Sequence, residues 1–316
     1  MAKDMRDIYT DTLMELAKSN DKICVLEADL MNATGTRPFK EAYPHRFFDV
    51  GVAEANMVGI ASGLSTEGKI PFAATFGTFA SRRVFDQFFL SANYARLNVK
   101  LVGTDPGITA QFNGGTHMPF EDIGMMRLIP DAVILEPSDC ISLKELVKQA
   151  ADHPGCVYLR LHRKGSQVLY PEAEQFEIGR GKVLRDGSDL TIAATGFVLV
   201  PEALKAAEQL EKEGISAAVL DMHTVKPLDH ELLLKYAEKT RAVVTCENHQ
   251  IAGGLGGAAA EVLAQHLPVP MEFIGVHGLF GQVGTLEYLM EAYGLHSDEI
   301  CRKARTVIKR KEEKHR

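Results

Sequence analysis

The strongest constraint on this chain is an alternation, run through twice, of short apolar segments with longer amphipathic ones. Residues 23–27 (ICVLE), 48–52, 70–75, 99–102, 132–135 and 156–161 read as strands, and residues 8–17, 55–64, 83–95, 121–128 and 143–151 carry helical spacing. Strands that alternate with helices belong to parallel sheets covered on both faces. A polar stretch from Lys164 to Asp189, punctuated by Gly165, Pro171, Gly179, Gly181 and Gly187, breaks the pattern as a linker with a short edge element. The alternation then restarts, with strands at 190–194, 217–220, 242–245 and 271–274 and helices at 201–212, 232–239, 258–265 and 286–292. The expected fold class is α/β: two doubly wound, mainly parallel-sheet domains, residues 1–165 and 189–316, joined by a linker at 166–188.

Charge and cysteine usage exclude several roles. The formal net charge is −7 and is spread along the chain, which argues against a nucleic-acid partner. The one basic run, 302–316, is interleaved with Glu312 and Glu313 and reads as a solvated terminal helix or frayed tail. Five scattered cysteines, at 24, 140, 156, 246 and 301, form no disulfide framework. They read as free thiols in a reducing compartment, with Cys24, Cys156 and Cys246 as buried filler. The N-terminus MAKDMRD lacks a signal-peptide core and no apolar stretch is long enough to span a bilayer. A cytoplasmic location with no membrane partner is expected.

Open parallel sheets bind ligands beyond the carboxyl ends of their strands, so polar groups just after strands are the candidates. Glu54, in DVGVAEANM, falls where a strand turns into a helix; it is either a first-turn acid favoured by the helix dipole or a carboxyl held in a cleft. Phe76 and Phe79, around Gly77, either pack in the core or offer ring faces to a flat ligand. The long loop 104–117 is polar and glycine-rich, and His117 at its end is a candidate acid/base or hydrogen-bonding group. Gly253 to Gly257 give a weak dinucleotide fingerprint, better read as close packing of a helix on the sheet. C-x-x-C, H-E-x-x-H, EF-hand, G-x-S-x-G and Walker patterns are absent, and no metal site is expected on this chain.

The segments DVGVAEANMVGIASGLSTEGKIPFAATFGTF and NGGTHMPFEDIGMMRLIPDAVILEPSD resemble the pyrimidine-binding domain of transketolases. ATG at 194–196, LDMHTVKPLD at 220–229 and ENHQIAGGLGG at 247–257 resemble their C-terminal domain. The resemblance covers nearly the whole chain. It implies thiamine diphosphate as cofactor and transfer of a two-carbon ketol unit from a ketose (phosphate) to an aldose (phosphate). It makes Glu54 the glutamate that sets the tautomer of the cofactor's aminopyrimidine, Phe76 and Phe79 the aromatics beside that ring, and Asp29 an acid near it. It makes His117 an active-site histidine on the donor sugar, and Arg6 and Arg163 phosphate-binding arginines, the anion chemistry at which arginine excels.

A G-D-G segment, which holds the diphosphate's metal in enzymes of this type, occurs nowhere. The resemblance thus implies a split transketolase. A separate N-terminal subunit would carry the diphosphate domain and most of the grip on Mg²⁺ (or Ca²⁺), in an α2β2 assembly inactive without it. Asn113 stands where transketolases usually carry an Asp that reads the donor's hydroxyl, and Thr104 near where they carry a phosphate-contacting His. Those departures open the sugar's identity, including one with a different anionic group. The β subunit of a 2-oxoacid dehydrogenase and a 1-deoxyxylulose-5-phosphate synthase are the rival expectations.

Overall fold

The structure, a computed structural model, describes residues 3–313. Twelve strands are described in chain order: β1 Ile23–Glu27, β2 Phe47–Asp49, β3 Ile70–Phe76, β4 Lys100–Thr104, β5 Val133–Leu135, β6 Val157–Leu161, β7 Lys182–Arg185, β8 Leu190–Ala194, β9 Ala217–Asp221, β10 Thr224–Lys226, β11 Val243–Gln250 and β12 Met271–Val276. They form two sheets, ordered β10-β5-β6-β4-β3-β1-β2 and β12-β11-β8-β9-β7. All neighbours are parallel except the edge pairs β10–β5 and β7–β9. The expected pair of mainly parallel α/β sheets is what the chain builds, and the edge element foreseen in the polar stretch is β7.

Strand burial explains the apolar runs. Every residue of β1, β4, β6, β8 and β9 is buried, because helices cover both faces. In the first sheet, helices Met5–Ser19 and Cys140–Asp152 pack Tyr9, Leu13, Leu143 and Leu146 against Phe72 and Leu159. On the other face, helix Glu54–Thr66 and the segment 79–94 supply Met57, Val58, Ala61, Val84 and Phe88. Each of the leucine, valine, methionine and phenylalanine side chains among them contributes about 1.5–3 kcal/mol of burial free energy. Asp139 fixes one helix start by accepting from Ser142 N at 2.7 Å. All five cysteines are free and buried. Among the described residues no helix is long and apolar enough to cross a membrane.

Three segments differ from the reading of the sequence, and a fourth, the basic terminal run, resolves a choice it left open. The helix expected at 83–95 is instead a run of wide turns, π-helical at Phe79–Arg83 and Phe88–Tyr94 with a single α-turn at Phe85–Gln87 between them. The Ser81 hydroxyl bonds back to Gly77 O at 2.7 Å in the first of these turns. The helix expected from Pro201 starts at Gly196. Proline has no N–H to offer Phe197 O, and Gln167 Nε2 donates to that carbonyl at 2.8 Å. The basic terminal run lies in helix Ser297–Glu313, which buries Ile300, Cys301, Ala304 and Val307 on one face; it is a packed helix rather than a frayed tail, and residues 314–316 lie outside the described residues. Strand β10, too short to show periodicity, leaves the second unit and joins the first sheet beside β5.

Candidate active site

Strands β3, β4 and β6 end in register: Phe76 lies opposite Thr104, and Thr104 opposite Leu161. Their carboxyl ends therefore form one level ledge, and the loops that leave it carry the candidate residues. Helix Glu54–Thr66 starts beside this ledge, and its first residue, Glu54, is 2% exposed. Arg83 Nη1 donates to both Glu54 carboxylate oxygens, at 2.9 and 3.0 Å. The Arg83 guanidinium lies 4.1 Å from the Phe79 ring centroid, an arrangement that uses the ring's negative face.

Three rings continue the line. Phe76 and Phe79 have centroids 6.1 Å apart. The His117 ring stands edge-on to both, at 5.6 and 5.3 Å. Thr116 Oγ1 lies 2.9 Å from His117 Nδ1, which leaves Nε2 as the uncommitted nitrogen. Gly77 is required between the two phenylalanines, since a Cβ there would meet Pro119 at 2.9 Å and Thr104 O at 3.2 Å. Beyond Phe76, the Arg163 guanidinium lies 5.1 Å from that ring. Arg163 and Arg6 both donate to Ala33 O, at 3.1 and 3.3 Å. The structure thus strings Glu54, Arg83, Phe79, His117, Phe76, Arg163 and Arg6 along one strip at the carboxyl edge of the sheet. A recess of about 440 Å³, lined by Phe79, Arg82, Arg83 and His117, opens beside it. A larger recess of about 680 Å³ opens near the amino ends of β5 and β6, beside Val133, His153 and Cys156, and so on the side where such sheets do not take their ligands.

Two of the sequence candidates stand apart. Asp29 is exposed just past β1, with its peptide N–H bonded to Asp49 Oδ1 at 3.0 Å. Asn113 is exposed four residues before His117 on the same loop. Thr104 is fully buried within β4 and cannot present its hydroxyl to a ligand; its neighbour Asp105 reaches Arg163 instead, Nε to Oδ1 at 2.7 Å. Arg83 and Asp105 were not found from the sequence. Asp105 carried a usable signal, being the first residue after a strand. Arg83 carried none, because its approach to Glu54 depends on the π-helical turn.

The second unit holds the His117 loop in place. Asn248, in the ENHQ segment, accepts from Ile108 N at 3.0 Å and donates to Pro106 O at 2.8 Å. Gly107 makes room for it: a Cβ there would lie 2.1 Å from Asn248 Oδ1. The glycines that suggested a dinucleotide loop serve packing. Glu247 accepts from Leu255 N and Gly256 N at 2.7 and 2.8 Å, so a side chain already occupies the anion position at that helix start.

Beneath the arginines, Glu27 at the end of β1 accepts from the Thr34 and Thr36 hydroxyls, at 2.6 and 2.7 Å, and so shapes the loop that carries Ala33. Burial pushes its carboxyl up to about 8, against the pull of those two hydroxyls. Between the ordinary carboxylate range and that value, the unfolded chain is ionised here and the folded chain protonated. The folded state binds more protons, so stability falls as pH rises through that window. Glu27→Gln is expected to remove this slope. Its denaturation midpoint should match or fall below that of the unsubstituted chain near about pH 5 and exceed it near about pH 8.5. Equal pH slopes in urea titrations of the two proteins would refute the assignment.

Comparison with known proteins gives the family. The family model described as the transketolase pyrimidine-binding domain matches residues 1–167, and that of the transketolase C-terminal domain matches residues 179–300. The chain belongs to the transketolase family. It is 51% identical over 307 residues to the 6-deoxy-6-sulfo-D-fructose transketolase subunit SqwH of Clostridium sp. (strain MSTE9), covering 97% of this chain and 95% of that protein. It is 44% identical to a putative transketolase C-terminal section of Methanocaldococcus jannaschii, covering 98% and 97%. Among solved structures, a split-gene transketolase described as an inactive beta4 tetramer superposes with a TM-score of 0.90 at 42% identity, covering 98% of this chain and 99% of that one.

Proposed function

We propose that this chain is the C-terminal subunit of a split, thiamine-diphosphate-dependent transketolase, and that it transfers a two-carbon ketol unit from a ketose to an aldose phosphate. The carrying observation is the strip itself: a buried carboxylate, an aromatic pair with a histidine against it, and a pair of arginines, in that order along one sheet edge. The residues fit the cofactor's aminopyrimidine end. Glu54 is a buried carboxylate at a helix start, and its present partner, Arg83, is half exposed and free to give up a bond to a ring nitrogen. Phe76 and Phe79 offer tilted faces next to it. When bound, the cofactor supplies the nucleophilic carbon that attacks the ketose carbonyl.

The chain's own residues do the rest. Glu54 shares a proton with the ring nitrogen at one of its carboxylate oxygens. Phe76 and Phe79 orient the flat ring. His117 Nε2 exchanges a proton or a hydrogen bond with a hydroxyl of the donor. Arg6 and Arg163 hold the sugar's anionic end. Asp29 and Asn113 act from the rim, Asp29 near the cofactor and Asn113 on the sugar. The metal and diphosphate belong to a partner subunit, in an α2β2 assembly. The SqwH relative, named for a sulfonated fructose, supports a donor whose acidic group is a sulfonate rather than a phosphate.

Co-expression with a partner chain carrying a G-D-G domain tests the reading. The purified complex, given thiamine diphosphate and Mg²⁺, is expected to transfer two carbons from ketose phosphates or sulfonates to aldose phosphates, and neither chain alone should do so. A well-folded, cofactor-loaded complex that transfers nothing across that panel, or that instead acylates lipoate from a 2-oxoacid, would overturn it.

A further inference from the structure

The Arg6–Arg163 end of the strip contains a third charged group. Asp105 follows β4 directly, is 3% exposed, and sits at φ +56, a left-handed backbone rare for a residue with a Cβ. Its backbone is tied down, N–H to Leu161 O at 3.1 Å. Its carboxylate faces the Arg163 guanidinium side-on, with Nε donating to Oδ1 at 2.7 Å and Nη2 at 2.5 Å from Oδ2. Arg163 is itself only 12% exposed, so this pair is poorly screened by water. Arg6 stands across the Ala33 carbonyl. Its nearest carboxylate, Asp4, is 3.6 Å away and partly exposed, and its Nε is buried with no hydrogen-bond partner among the described residues.

Counting donors and charges defines what this subsite can take. A guanidinium has five N–H groups. Arg163 donates one to Ala33 O and one to Asp105, with its Nη2 in ion-pair contact with the other carboxylate oxygen, so at least two remain. Arg6 commits one to Ala33 O and keeps its Nε free. There are enough donors for the three oxygens of a tetrahedral acid group. Arg6, Arg163 and the neighbouring Lys164 carry three positive charges and Asp105 and Asp4 remove two, so a ligand meets about one net positive charge. A sulfonate has three acceptor oxygens and one negative charge. A phosphate monoester has the same three oxygens, yet above about pH 6 it carries nearly two charges. The second would face the fixed carboxylate of Asp105.

Resting on the transketolase reading above, we infer that Asp105 is a specificity-determining residue: by neutralising half of the Arg6–Arg163 pair it favours a ketose ending in a singly charged group, such as a sulfonate, over the same sugar ending in phosphate. Asp105 does its work through Arg163, while the shape of the subsite, set by the two guanidinia and Ala33 O, suits either group. Loss of the carboxylate charge therefore changes the preference and not the geometry.

The test uses the complete complex with its partner subunit, cofactor and Mg²⁺, and two donors of equal chain length, a 6-phosphoketose and the 6-deoxy-6-sulfoketose. The unsubstituted complex is expected to show the higher kcat/KM with the sulfonate, chiefly through KM. Asp105→Asn keeps the size and an acceptor for Arg163, and should move the ratio toward phosphate by about tenfold or more. Asp105→Glu keeps the charge and should retain the original preference. A ratio unchanged in Asp105→Asn, or parallel losses with both donors, would overturn the inference and leave Asp105 a structural partner of Arg163. Should Asp105→Asn fail to fold, the unsubstituted complex still decides, because a preference for the phosphate donor is incompatible with the charge count. No transfer from either donor by the unsubstituted complex would instead overturn the transketolase reading, and this inference with it.

Discussion

Glu54→Ala is expected to abolish two-carbon transfer by the assembled complex while barely changing the stability of the chain. The two halves of that expectation come from different parts of the environment. A carboxylate that manages one proton in the rate-determining stretch of a reaction is worth about 10²- to 10⁴-fold. Glu54 is buried at the Phe79 end of the strip, away from the sugar-binding arginines, so its loss should show in kcat, not in KM for either sugar. Stability should be spared because its partner Arg83 is about half exposed and can turn to water once the carboxylate is gone. Glu54→Gln sharpens the test. It keeps volume and hydrogen-bonding capacity but cannot take up a proton, and should lose nearly as much activity as alanine. Cofactor binding, followed by near-ultraviolet circular dichroism, separates loss of binding from loss of chemistry. Activity within tenfold of the unsubstituted complex in Glu54→Gln, with the cofactor bound, would remove Glu54 from the proposed mechanism.

The contrast between what could be read from the residues and what could not follows from interaction range. The strands were legible because burial on both faces forces uninterrupted apolar runs such as ICVLE, a local and unambiguous signal. Positions near the ends of those runs, among them Glu54, Phe76 and His117, inherited their candidacy from the rule that ligands bind at carboxyl edges, Arg163 took its role from the resemblance, and the structure brings these four to one ledge. Arg83 escaped because a wide turn, rather than the regular helix that its spacing suggested, aims it at Glu54. Asp105 was passed over for Thr104 by one residue. In a strand that one step decides between a side chain locked in the sheet and one free at its end. Strand β10 escaped for a third reason: three residues carry no period, and its pairing with β5 joins positions about ninety residues apart. The role of Asn248 was equally hidden, since its hydrogen bonds reach back 140 residues to the His117 loop.

The largest loss of stability is expected from Arg160→Ala. Arg160 lies on β6 and is 1% exposed, yet it carries a full charge between two buried acids. Its Nε and Nη2 donate to the two Asp122 oxygens at 2.7 and 3.0 Å, Nη1 donates to Glu136, and Nη2 also reaches Asn248 O at 3.1 Å. Tyr158 adds a further bond to Asp122 at 2.8 Å. Removing the guanidinium leaves Asp122 and Glu136 buried without a counter-charge, a change that costs about 3–5 kcal/mol. For a domain of this size that corresponds to a fall in Tm of roughly 6–20 °C. The loss should shrink at acid pH, where Glu136 can take up a proton. Burial already holds Glu136 above the usual carboxylate range, and without Arg160 it would rise further, so the variant's stability should fall as pH climbs from its unfolded value. Thermal unfolding at two pH values reads this directly. The companion variant Arg160→Met/Asp122→Asn/Glu136→Gln removes all three charges together and should recover much of the loss, as replacing a whole buried ion cluster does where breaking it does not. Because Arg160 also grips the carbonyl of the residue that pins the His117 loop, the single variant should lose ketol transfer at temperatures below its own unfolding, and the triple variant should regain stability before it regains activity. An Arg160→Ala chain that melts within about 2 °C of the unsubstituted protein would show that Asp122 and Glu136 do not depend on Arg160 as a buried counter-charge.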